Sequence, residues 1–187
     1  MNKVVMIIVA ILSMATVACG KTEQAADQVQ VQVQKGAPAS ASTLPAGAQE
    51  DTRSMLEGYD TVHAKLAADS TDGVTLAATK IQEFANKASA AAPPALQPHF
   101  QAVASAAESL KQAPATDMEA TRKAFGEVSN KLIVLLSAEP SLASGRFVFE
   151  CPMTPNYKKW VQTDSAVKNP NYGKKMLECG EASDWKV

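Results

Sequence analysis

The sequence predicts an all-α fold, an up-down-up-down four-helix bundle with an irregular C-terminal extension packed on it. Four stretches between residues 51 and 138 repeat apolar residues every three or four positions, which is the spacing of one buried helix face. Helix-breaking residues separate these stretches by only a few positions, and such short connections join neighbouring antiparallel helices. Aromatic residues make up only 5% of the chain and alanine is abundant, which favours helices packed closely through small side chains.

Each predicted helix carries one apolar stripe. The stripes are Met55, Tyr59, Val62 and Leu66; Val74, Ala77, Ile81, Phe84 and Ala88; Leu96, Phe100, Val103, Ala107 and Leu110; and Thr121, Phe125, Val128, Leu132 and Leu135. The predicted breaks are residues 69–73, Pro93-Pro94 and Ala113-Pro114. Thr116 with Glu119 predicts a capping box at the start of the fourth helix.

The residues after Pro140 no longer repeat apolar side chains at helical spacing. Residues 146–150 alternate like a short strand, and a β-hairpin is possible here, whereas turn-forming residues dominate the rest. This extension lacks strong helical periodicity and is too short to form a core of its own. We therefore expect residues 51–187 to form one domain, in which Trp160 is a packing residue.

The N-terminus has the features of a lipoprotein signal peptide, residues 1–18. Lys3 precedes an apolar run over residues 4–14, which is too short to span a bilayer and fits the apolar part of a signal peptide. Ala18-Cys19-Gly20 resembles the bacterial lipobox, although Thr16 stands where leucine is usual. An ordinary secretory signal, cleaved without lipidation, is the alternative.

Residues 19–50 are predicted to be the lipidated Cys19 and a disordered tether, because this segment is rich in Gln, Ala, Ser, Pro and Gly. A flexible chain of this length has an r.m.s. reach of about 30 Å. The absence of Asp after Cys19 indicates sorting to the outer membrane, on the side that faces the periplasm. The formal net charge of −1 gives no indication of nucleic-acid binding.

Of the three cysteines, lipidation of Cys19 leaves two in an oxidising compartment, Cys151 and Cys179. One interpretation is a disulfide that closes the extension into a loop. The other is a site for a soft metal ion, because Met153 and Met176 lie close to these cysteines in the sequence and thiolates with thioethers select Cu(I) or Ag(I) over hard cations. Each methionine alone is more typical of a core gap-filler.

The extension resembles a bacterial family catalogued as domain of unknown function 3347. The residues that carry this resemblance are Phe149-Glu-Cys-Pro-Met153, Trp160-Val-Gln162, Asn169-Pro-Asn-Tyr-Gly173, Met176 and Cys179-Gly-Glu181, with support from residues 59–69 and 125–136. Members of that family occur as small exported proteins and as domains attached to periplasmic adaptor subunits of copper and silver efflux pumps. The resemblance implies a metal-handling role for Cys151, Met153, Met176 and Cys179, with efflux components as possible partners.

The remaining candidate ligand is His63. On the first helix it lies beside the apolar stripe, so an exposed or boundary position is its ordinary interpretation, and a place in the soft-metal site is the functional one. The sequence contains no nucleophile elbow, phosphate-binding loop or paired-carboxylate motif, so no enzymatic activity is predicted. Two functions stay open: a lipid-anchored protein that binds a soft metal ion, and a partner-binding helical module stapled by a Cys151–Cys179 disulfide.

Overall fold

The computed structural model describes residues 41–187. The predicted signal peptide, Cys19 and most of the predicted tether lie outside these residues. Within residues 41–187, no helix combines the length and apolar character that crossing a membrane requires.

The predicted four-helix bundle is confirmed. Its helices are α1 (Ala46–Ala67), α2 (Val74–Ala91), α3 (Gln97–Gln112) and α4 (Met118–Ala138). Helix α1 packs on α2, α2 on α3, and α3 on α4. Because each connection is too short to run back along a helix, consecutive helices are antiparallel.

The predicted stripes form the core of the bundle. Every stripe residue is buried except Phe84, which packs at the edge of the core with the Lys87 ammonium 4.6 Å from its ring centroid. Alanines at 78, 85, 104, 106 and 107 are buried as well, so the helices approach closely through small side chains. The periodicity of the sequence therefore predicted which face of each helix is buried.

Helix α1 begins at Ala46, inside the segment that the sequence assigned to the tether. The reason is packing: Leu44 and Ala48 are buried in the core, and buried Thr52 and Ala48 continue the stripe of α1 by about two more turns. Thr43 also forms a hydrogen bond with the Glu139 carboxylate after the end of α4. The folded domain thus starts several residues before the predicted boundary at Asp51.

The start of α4 also differs from the prediction. Asp117, rather than Thr116, is the capping residue, because its Oδ1 accepts a hydrogen bond from the Ala120 backbone N–H at 2.9 Å. Asp117 is an equally good capping residue type, and it places the cap three residues before the donor.

The C-terminal extension contains a short 3₁₀ turn (Pro140–Ala143) and a three-stranded antiparallel sheet, β1 (Phe147–Glu150), β2 (Lys159–Gln162) and β3 (Glu181–Ala182), in the order β2-β1-β3. Strand β1 and the β1–β2 hairpin agree with the prediction. Strand β3 was not predicted, because two residues carry no periodicity of their own. A second 3₁₀ turn, Gly173–Lys175, lies between β2 and β3.

Tyr59 is one of the residues that fix the extension to the bundle. Its buried ring stacks on Phe125 with ring centroids 4.9 Å apart, and its hydroxyl lies 2.8 Å from Ser129 Oγ. The same hydroxyl accepts a hydrogen bond of 3.0 Å from the Val161 backbone N–H of β2. Burial raises the pKa of Tyr59, so the phenol stays neutral and joins α1, α4 and the sheet.

Arg122 on α4 fixes a second part of the extension. Its Nε donates to the Pro170 carbonyl at 2.9 Å, and its Nη2 donates to the Leu66 carbonyl and to Asp69 Oδ1 at 2.6 Å. Gly173 lies directly against this ion pair with a φ of +57°, and there is no room there for a Cβ atom. Glycine is therefore required both by the backbone angle and by the close approach.

Candidate functional site

The sheet brings Cys151 and Cys179 together. Cys151 follows the last residue of β1, and Cys179 stands two residues before the first residue of β3. Because Glu150 pairs with Glu181 in antiparallel register, the end of β1 and the start of β3 lie side by side. The two sulfurs are 3.2 Å apart and both cysteines are free thiols.

Aromatic side chains surround the thiol pair. Cys151 is buried in a small cluster with Phe149 and Trp160, whose rings lie 6.1 Å apart, and the half-buried Cys179 packs against this cluster. Gly180 passes under the Trp160 ring so closely that a Cβ atom there would lie 2.8 Å from the ring edge. The site is therefore separate from the core of the bundle and has its own apolar surroundings.

The two thiols have opposite pKa shifts. Burial alone would raise the pKa of Cys151, but hydrogen bonds from the Cys179 thiol and the Met153 backbone N–H outweigh burial and lower this pKa. The Cys151 sulfur in turn holds the Cys179 proton, which raises the pKa of Cys179. Cys151 is therefore the thiol of the pair that loses its proton first, and Cys179 keeps the remaining proton.

Two buried amides organise the loop that leads to Cys179. Asn169 donates from Nδ2 to the Cys179 carbonyl at 2.7 Å, and its Oδ1 accepts from the backbone N–H groups of Asn171 and Tyr172. Gln162 accepts the Trp160 indole N–H at 2.8 Å and donates to two loop carbonyls. Both residues are among those that carry the family resemblance, and Asn-Pro-Asn is a strong turn signal, but the sequence predicted no hydrogen-bonding role for either side chain.

Neither Met153 nor Met176 is buried as Cys151 is. The Met153 side chain is 61% exposed, so its interpretation as a core gap-filler is wrong. Met153 contributes instead through its backbone N–H, which approaches the Cys151 sulfur. Met176 is half-buried, and its carbonyl accepts the Cys179 backbone N–H at 3.0 Å, which places it one turn before Cys179.

His63 is buried, so the ordinary expectation of an exposed or boundary position is wrong. The loop before Asn169 covers it, and its Nε2 donates to the Lys168 carbonyl at 2.8 Å. His63 therefore supports the loop that holds Cys179 through Lys168 and Asn169. Burial, the largest influence, lowers the pKa of His63.

This lowered pKa predicts a pH dependence of stability. In the unfolded chain His63 binds a proton below about pH 6.5, whereas in the folded chain its lowered pKa shifts proton binding to lower pH, so the free energy of unfolding should decrease as the pH falls from 6.5 towards 5. The steepest slope from one proton is about 1.4 kcal/mol per pH unit. Urea denaturation across this pH range measures it. His63→Gln, which keeps a donor for Lys168, should flatten the slope, whereas the matched control His99→Gln should not; equal slopes in all three proteins would contradict the prediction.

The chemistry available at this site is that of a dithiol. A disulfide needs a sulfur–sulfur distance of about 2.05 Å, so the pair would have to close by roughly 1 Å. A metal ion about 2.3 Å from each sulfur allows separations up to about 4.6 Å, so the pair could chelate one ion by opening or at its present spacing. Within residues 41–187, no group of three or more His, Cys, Asp or Glu side chains is arranged to hold a metal ion.

Comparison of the chain with models of known protein families, with curated proteins and with solved structures found no match. The resemblance to domain of unknown function 3347 therefore stays a prediction that depends on the residues quoted for it.

Proposed function

We propose that the protein binds a soft monovalent metal ion, Cu(I) or Ag(I), at the Cys151–Cys179 thiol pair, for buffering or for transfer to efflux machinery. The observation that carries the proposal is the 3.2 Å approach of two free sulfurs, one of which has a lowered pKa. A thiolate is the ligand form of cysteine, and soft ions prefer it. The aromatic surroundings exclude water and hard anions from the buried sulfur.

The methionines complete the proposed site. Two thiols leave a coordination position open, and a thioether is a soft neutral donor. Met176 stands one turn before Cys179, and Met153 lies on the turn that follows Cys151. Met153, being exposed, is suited to meet an incoming ion first. His63 is assigned a supporting role, because its Nε2 is engaged by the Lys168 carbonyl.

Competition for Cu(I) with a chromophoric chelator, in the presence of reductant and without oxygen, tests the proposal on the full chain. The double variant Cys151→Ser, Cys179→Ser is expected to lose more than about 100-fold in affinity, because even the loss of an outer partner of a metal ligand costs 10- to 100-fold. Cys19→Ser is the matched control and should bind as the parent chain does. Unchanged affinity in the double variant would refute the thiol site.

The location of the protein is part of the proposal. A lipid on Cys19 would hold the domain at the outer membrane, facing the periplasm, within reach of heavy-metal efflux components. Metabolic labelling of the expressed protein with a radioactive fatty acid tests the anchor. We expect label in the parent chain and none in Cys19→Ser; label in both proteins would show that Cys19 is not the attachment site.

A second function, a partner-binding module stapled by a Cys151–Cys179 disulfide, is favoured by the same short distance. The sulfur–sulfur distance of 3.2 Å is only about 1 Å longer than the S–S bond of a disulfide. A thiol count on the exported protein, native and denatured, with and without reductant, separates the two functions. No reactive thiol before reduction, together with no copper or silver by elemental analysis, would favour the stapled module.

A further inference from the structure

A cavity of about 480 Å³ lies between the start of α4 and the extension. None of the four residues of the proposed metal site lines this cavity, so it is not part of that site. Residues 154–157 form one wall, and Asn171, Tyr172 and Lys175 form another. Its volume is within the range of cavities that hold small molecules.

The polar lining consists mainly of donors and cations. Arg122, Lys123 and Lys175 contribute positive charge, while Glu119 is the single carboxylate that lines the cavity. Arg122 is committed to Asp69 and to backbone carbonyls. The two lysines have no carboxylate partner among residues 41–187, so they are available to an anion.

Two buried polar atoms in the same lining have no hydrogen-bond partner within the described part of the chain. These are Asn171 Nδ2 and Thr154 Oγ1. Thr154 lies near enough to Cys151 to help lower the pKa of that thiol, but no hydrogen bond of ordinary geometry joins the two side chains. Buried polar atoms are rarely left without partners, and Asn171 also lines the cavity, so a small rotation of its side chain would let the unpaired amide donate to an acceptor that arrives from outside.

Apolar surface makes up the rest of the lining. Tyr157 and Tyr172 stand on the two walls formed by the extension, and Met118 and Pro155 add further apolar area. The Tyr172 hydroxyl donates to the Met153 carbonyl at 2.7 Å, which fixes this ring in place. A flat apolar body fits beside such rings, whereas a bare inorganic ion would leave their surface uncovered.

From these contacts we infer that the cavity binds a small organic anion, with a phosphate or carboxylate group directed at Lys123, Lys175 and Asn171 and an apolar body beside the tyrosines. This inference does not rest on the proposed metal site, because none of the four residues of that site lines the cavity. Its failure would therefore leave the proposed metal site untouched.

Phenyl phosphate is a suitable probe and phenol is its uncharged control. Both are titrated into the reduced, metal-free full chain while amide resonances are followed by NMR. Phenyl phosphate is expected to produce saturable shifts in the amide resonances of Thr154, Asn156, Tyr157, Asn171 and Tyr172, and phenol much weaker ones. No saturable shift, or equal responses to the two compounds, would overturn the inference.

Neighbouring lysines supply matched variants. Lys175→Gln should weaken phenyl phosphate binding about three- to fivefold, which corresponds to the loss of one partly exposed charge pair. Lys174→Gln, one position earlier and outside the cavity lining, should not change it. On α4, Lys123→Gln and Lys131→Gln form a second pair of the same design. Equal weakening within either pair would indicate general surface attraction and would also overturn the inference.

Discussion

Replacing Trp160 by alanine is expected to lower the free energy of unfolding by about 3–5 kcal/mol, the usual cost of removing a large buried aromatic side chain. Trp160 is 1% exposed, and its ring stacks on Phe149 and covers Gly180. Its indole N–H also donates a hydrogen bond to Gln162 Oε1. The alanine variant would leave a cavity beside the thiols and would remove one of the two donors to Gln162 Oε1, the other being the Lys168 backbone N–H. Urea denaturation followed by circular dichroism at 222 nm measures the loss.

A conservative variant shows which part of Trp160 matters. Trp160→Phe keeps a ring against Phe149 and removes the indole N–H, so we expect a smaller loss of about 1–2 kcal/mol. Thiol accessibility gives a local measurement of the same change, because Cys151 should react with an alkylating agent faster in Trp160→Ala than in Trp160→Phe. A stable alanine variant with a slowly reacting Cys151 would show that the aromatic cluster does not enclose the thiols.

Oxidation of the thiol pair is expected to raise the free energy of unfolding by about 3–4 kcal/mol. The two cysteines are 28 positions apart in sequence, and a crosslink that closes a loop of this size restricts the unfolded chain by about that amount in the chain-entropy model. The fold need change little, because the sulfurs already lie 3.2 Å apart. Denaturation of the same preparation with and without reductant measures the difference.

Cys151→Ser is the control for this prediction, because it removes the crosslink and keeps a small polar side chain. Its stability should be independent of reductant. If the oxidised parent chain is no more stable than the reduced one, strain in the closed loop must offset the entropic gain. That result would contradict a permanent structural disulfide between the two cysteines. A dithiol that cycles between states would become the better description of the pair.

The four-helix bundle could be predicted from the sequence because the apolar stripes and the helix breaks are formed by residues close to one another in the chain. The stripe from Met55 to Leu66 repeats along one helix, and the breaks at residues 69–73 and at Pro93-Pro94 are adjacent to the elements they end. Apart from the shift of the α4 cap by one residue, the errors occurred where a distant contact decides the outcome. Helix α1 extends to Ala46 because the core and Glu139 engage the residues around Leu44, and no neighbouring residue signals this.

The sequence predicted which two cysteines belong to the candidate site, but it did not predict how the fold brings them together. Cys151 and Cys179 were selected because the compartment and the cysteine count single them out, and the structure brings them together. Their approach depends on the pairing of a two-residue strand and on Asn169, whose hydrogen bonds reach ten positions along the chain. His63 was misplaced for the same reason, since the loop that buries it lies 105 positions away in sequence.

The position of Trp160 makes it an intrinsic fluorescence probe of the thiol pair. The chain has only two tryptophans, and Trp160 shares a closed apolar cluster with both sulfurs, while Trp185 lies at the edge of the core. Thiolates and heavy ions quench indole emission at short range. In a Trp185→Phe background, a single fluorescence trace should therefore follow ion loading and oxidation in real time, without any attached dye.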